Sequence, residues 1–190
     1  MAFGFDSVYD KTLQNFALQT KGARFEDGGV LAHGKACVPC GNNEIIFDAI
    51  RATRYLFHSR VRANFHNPRR FQFSLKRKLS ENFLDDLKKA TGLQVMTPLP
   101  IHHPGWPPNL VLRASDAARA QQIFADARIR QCAAAQPTMQ LDIRAHSPLE
   151  AAKGAPSHTL HFRTEEWICD TRRLQTIHVL FHDLLQHLTQ

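Results

Sequence analysis

Met139-Gln140-Leu141-Asp142-Ile143-Arg144-Ala145-His146 alternates apolar and polar side chains along its length. A period of two marks a strand with one face buried and the other wet. Leu160 and Phe162, alternating with His161 and Arg163, repeat the pattern after a loop at 148–157. If these strands pair, Asp142, Arg144, His146, His161 and Arg163 share one polar sheet surface. Antiparallel sheets can leave such a surface in water, whereas parallel sheets are covered on both sides.

Thr171 opens a final helix whose stripe is Leu174, Ile177, Phe181, Leu184 and Leu188. On the other side, a strand over 110–113 precedes a helix that Ser115 would cap, running to about Cys132. Residues 98–108 hold five of the ten prolines together with His102, His103 and Trp106, and read as irregular loop. Phe71 to Leu75 alternates as a strand. Ser80 caps a helix that Gly92 ends, and a strand over 93–97 follows. Nearer the N-terminus, Asp6-Ser7 would cap a helix to about Gly22, and 30–38 is extended. Asn42-Asn43 would cap a helix from Glu44 to about Asn64, on the stripe Ile46, Ala49/Ile50, Thr53 and Phe57. The expectation is an α+β chain, a mostly antiparallel sheet with about five helices and a helical N-terminal part. Its length of 190 residues suits a single domain over 1–190, with 98–108 as the place where it would divide.

Charge is distributed unevenly. Between Asp48 and Glu81 there is no carboxylate, yet the window holds Arg51, Arg54, Arg60, Arg62, Arg69, Arg70, Lys76, Arg77 and Lys78. The other 158 residues carry 15 Lys/Arg against 17 Asp/Glu, so the whole excess is local. A concentrated positive field is the footprint of an anionic partner. On the expected helix, Arg51, Arg54, His58 and Arg62 would form one row, opposite the apolar stripe. With Arg60, Arg69, Arg70, Lys76, Arg77 and Lys78 they make the candidate anion-binding set. Tyr55, Phe57, Phe65, Phe71 and Phe73 interleave with it, either as a stacking surface or as core.

Other constellations are thinner. Cys37-Val-Pro-Cys40 with His33 upstream resembles half a zinc site, but no second pair follows at ligand spacing, and no metal or cofactor is assigned. His178 and His182 stand one helical turn apart without the glutamate of a zincin motif. The chain lacks a P-loop, a dinucleotide glycine fingerprint and G-x-S-x-G, and no catalytic residue is assigned. No apolar run approaches the ~20 residues of a membrane helix. The first residues lack a basic n-region, so the expected setting is the cytoplasm.

The functional expectation is a polyanion-binding module, with nucleic acid the partner, held on the 51–78 patch. One alternative is an enzyme on a small anionic or phosphorylated substrate, with arginines for orientation and a histidine of 102/103 or 146/161 for proton transfer. Another is a protein-interaction factor anchored by the Trp106 loop.

Overall fold

A computed structural model describes residues 5–29, 33–51, 57–77, 96–101, 103, 106–146 and 156–190. In chain order these form α1 (Phe5–Gln19), β1 (Arg24–Glu26), β2 (Lys35–Cys40), β3 (Asn43–Arg51), β4 (Phe57–Phe65) and β5 (Phe73–Arg77). Then come β6 (Thr97–Leu99), β7 (Leu110–Ala114), α2 (Ala117–Phe124), α3 (Ala127–Ala134), β8 (Gln140–Ala145), β9 (His158–Thr164) and α4 (Thr171–Leu188). All nine strands join one sheet in the order β1-β2-β3-β4-β9-β8-β5-β7-β6, every neighbour antiparallel.

The α+β class is as expected, but the N-terminal part is not helical: α1 is its one described helix. The helix expected over 44–64 is the β3 and β4 strand pair. Ile45, Phe47 and Ala49 point to the core, and Val61, Ala63 and Phe65 lie across from them on the same face. Ile46 and Ile50 fall on the opposite face, and their side chains mimicked a helical stripe. Asn42-Asn43 does not cap a helix either. Gly41 and Asn42 form a two-residue hairpin turn between β2 and β3, with Gly41 at φ 59, where a residue with a Cβ is disfavoured. Residues 97–99, expected to end a strand and start a loop, form β6 with Pro98 inside it. That is tolerated because β6 is the outermost strand.

The helix expected over 115–132 is two helices. Asp116 rather than Ser115 caps α2, accepting from Arg119 N at 3.0 Å, and Asp126 interrupts to cap α3, accepting from Arg128 N at 2.7 Å. The final helix is as expected, with Asp170 as its cap and the stripe Leu174 to Leu188 buried. The helix expected over 80–92 lies outside the described residues.

Tyr9, Leu13 and Phe16 of α1, Ile123 and Phe124 of α2, Ile129 of α3 and the α4 stripe all enter one core with the inward strand residues. Phe16 meets Phe47 at a ring distance of 4.7 Å, and Phe124 meets Phe73 edge-on at 5.5 Å. The four described helices therefore cover one face of the sheet. No described helix is long and apolar enough to cross a membrane.

Candidate anion-docking face of the sheet

The other face is a lattice set by strand register. One row runs across all nine strands: Arg24, Cys37, Ile46, Arg62, His161, Asp142, Ser74, Arg113 and Pro98. The adjacent row carries Asp48, Arg60, Arg163, Gln140 and Lys76. Each strand contributes alternate residues because its pleat sends the intervening ones into the core.

Among the described residues four carboxylates stand on this face, and each is already neutralised. Glu26 takes Arg24 at 3.0 Å and Lys35 at 2.7 Å, while Glu44 takes Arg24 at 2.6 Å. Hydrogen bonds from Lys35 and then Arg24 hold the Glu26 carboxyl below its ordinary value. Asp48 accepts a side-on fork from Arg60, Nε to Oδ1 at 2.7 Å and Nη2 to Oδ2 at 2.6 Å, with Arg62 at 3.3 Å. Asp142 takes Arg144 at 2.8 Å, Gln140 at 2.8 Å and His161 at ion-pair distance, 3.5 Å. Against these four carboxylates stand Arg24, Lys35, Arg60, Arg62, Arg144, Arg163 and Arg113. Among the described residues these leave three positive charges in excess.

The structure divides the expected anion-binding set. His58, Arg60, Arg62 and Lys76 lie together on this face, on strands rather than on a helix. His58 is buried beside Ile50, so it contributes little to the surface. Arg69 and Arg70 are exposed on the turn after β4, where the Asn67 side chain binds Phe71 at both N and O and Arg70 adopts φ 51. Arg77 leaves the set. It points to the helix-bearing side, where it donates to Asn109 at 3.0 Å and to the Ala134 carbonyl at 2.9 Å. Arg51 ends β3 with its side chain outside the described part, and Arg54 and Lys78 lie outside the described residues, as does Tyr55. The helical row of Arg51, Arg54, His58 and Arg62 is therefore corrected, because His58 and Arg62 occupy a strand. Phe65, Phe71 and Phe73 are core.

The polar surface expected from 139–146 and 158–163 is present. Asp142 faces His161 and Gln140 faces Arg163 across β8 and β9. His146 lies just past the strand and bonds Thr159 Oγ1 at 2.5 Å. Ser74 shares the row, but Asp142 stands between it and His161, two strand spacings or about 10 Å apart. A hydroxyl nucleophile needs the imidazole as its neighbour, so this order is not that of a Ser-His-Asp relay. Cys37 and Cys40, three apart on one strand, face opposite sides of the sheet and cannot close on one ion together. His103 contacts Arg130 at 2.7 Å, while His102 lies outside the described residues. Trp106 is turned inward, donating to the Leu110 carbonyl at 2.9 Å and packing on Phe124.

Protonation of Asp142 gives this face an acid limit. Burial pushes its carboxyl up, but His161, Arg144 and Gln140 outweigh burial and bring it down to about 2 from 3.8. The folded state therefore binds this proton less readily than the unfolded chain. The resulting stability is present above about pH 4 and is lost as pH falls towards 2, a difference of roughly 2 kcal/mol. Burial likewise lowers His158 and His178 below 6.5, so acidification beneath that value protonates the unfolded chain first. Urea melts should show a first decline below about pH 6.5 and a second below about pH 4. Asp142→Asn should flatten only the second.

No protein-family model and no curated protein sequence matches the chain. Among solved structures, the crystal structure of the mycobacterial trehalose monomycolate transport factor A, TtfA, superposes with a TM-score of 0.53. The match covers 95% of this chain and 96% of that one, at 11% identity. In fold, this chain is similar to TtfA along nearly its whole length.

Proposed function

We propose that this chain is a binding domain that docks a polyanion on the face of its sheet opposite the described helices. The carrying observation is the charge balance there: every described carboxylate on the face already has a cation partner, and a positive excess remains among the described residues. Nucleic acid is the polyanion this reading favours, gripped through phosphates by arginine forks. Among the described residues no Phe, Tyr or Trp occupies the register rows of that face, so bases find no broad stacking platform there and binding should be indifferent to sequence. The setting of this reading is the cytoplasm.

Binding of labelled duplex and single-stranded oligonucleotides over a salt series tests it. Neutralising about four phosphates should give a log–log slope of roughly −3 to −4. Arg60→Gln/Arg62→Gln should lower both affinity and slope. A slope near zero, or no binding at low salt, would remove the reading.

A second reading is a protein-interaction factor, with which the fold likeness to TtfA, named as a transport factor, is consistent. Trp106 would not be its anchor, being committed to the core; the charged sheet face would meet an acidic protein surface instead.

A further inference from the structure

Arg60 and Arg163 stand directly opposite each other on β4 and β9, and Arg62 and His161 form the next opposed pair. Four basic residues thus occupy the corners of a square at the middle of the sheet, with edges of about 5 Å across strands and about 7 Å along them. Like charges placed opposite one another are unfavourable. Here they lean apart: Arg60 reaches to Asp48 on β3, and Arg163 reaches to Gln140 on β8, Nη2 to Oε1 at 3.3 Å. Arg163 has no carboxylate partner among the described residues. Arg62 Nε is buried with no hydrogen-bond partner, and its guanidinium meets Asp48 only at ion-pair distance.

Counting charges selects the ligand. Three guanidinium groups set against the single carboxylate of Asp48 leave two positive charges, while Asp142 is balanced by Arg144. A phosphodiester or a carboxylate supplies one negative charge. A phosphomonoester supplies close to two at neutral pH, with three acceptor oxygens for forked donors.

We propose that Arg60, Arg62 and Arg163, with the buried His161 at the fourth corner of the square, form a binding site for a phosphomonoester dianion. Resting on the docking reading above, it takes the terminal phosphate of a bound polyanion. The same chemistry could equally arrive as a free phosphomonoester. Arg163 is the specificity-determining corner, because among the described residues it is the arginine of the square that no carboxylate engages.

Three measurements on the full chain test this. Inorganic phosphate at pH 7.5 should raise the melting temperature beyond chloride at equal ionic strength. A 5′-phosphorylated oligonucleotide should bind at least about tenfold more tightly than its 5′-hydroxyl twin. Arg163→Gln should erase both effects and leave the hydroxyl-ended oligonucleotide bound nearly as before. Arg163→Lys, which keeps the charge without the fork, should recover part of the preference, and it serves as the test should Arg163→Gln fold poorly. Arg172→Gln, on exposed α4 surface, should change nothing. Equal binding of the two oligonucleotides with no phosphate effect would overturn the square while leaving the docking face intact. A phosphate effect lost in Arg163→Gln, with no oligonucleotide bound, would keep the square for a free phosphomonoester and remove the docking reading.

Discussion

Asp48→Asn should destabilise the fold by about 2–3 kcal/mol and, at the same time, tighten phosphate binding. Asp48 is 7% exposed and anchors both Arg60 and Arg62. Removing one partner from a buried ion pair costs about 3–5 kcal/mol, because the remaining charge has lost water and gained nothing. The lower figure applies because the guanidinium groups are partly exposed, at 25% and 35%. The Tyr9 hydroxyl bonds the Asp48 backbone carbonyl at 2.8 Å, so asparagine leaves that contact alone. Binding should move the other way, since an arginine released from Asp48 is free for an incoming anion. Chemical denaturation and phosphate titration of the same variant would check both signs. A variant of unchanged stability would show that Asp48 does not organise the face, and weaker phosphate binding would show that it belongs to the site rather than competing with it.

Phe162→Ala should be more damaging still, at about 3–5 kcal/mol. Phe162 is fully buried on β9, with Val61 opposite it on β4 and Leu141 opposite it on β8. A loss of that size is a large share of the roughly 5–15 kcal/mol that holds a domain of ordinary size. Leu18→Ala, at a side chain 80% exposed, should stay within about 0.5 kcal/mol and so report the background. Thermal melts of the pair would separate burial from hydrophobicity. A Phe162→Ala loss below about 1 kcal/mol would contradict the packing described for the middle of the sheet.

Much of the C-terminal half was legible in the chain itself. Strands at 110–114, 140–145 and 158–164 each carry a run of alternating apolar residues, Leu110/Leu112, Leu141/Ile143 and Leu160/Phe162, that marks the core face. The pair β3 and β4 was not legible for the opposite reason. Ile46 and Ile50 sit on the polar face, so the alternation of Ile45, Phe47 and Ala49 is blurred and a 3.6 period fits as well. Composition located Arg60, Arg62 and Lys76, and alternation located Asp142, Arg144, His161 and Arg163. Neither could join the two groups. That required the register of β4 on β9, a long-range pairing with no local signal. Asp48 was missed because it sits at the border of the acid-free window and closes on it only through the strand pair. Arg77 was misplaced because a strand sends neighbouring residues to opposite sides.

The sheet order carries a consequence for how the chain is made. The meander β1 to β4 joins the remaining strands through β4 and β9 alone, and β9 is the last strand to leave the ribosome. Until then β4 is an open edge with unpaired backbone groups, the kind of template on which nascent chains aggregate. Arg60 and Arg62 stand on that edge throughout the wait, and charged side chains are what discourages a stray strand from pairing there. The arginines at the middle of the finished sheet would thus first serve as sentries during its synthesis.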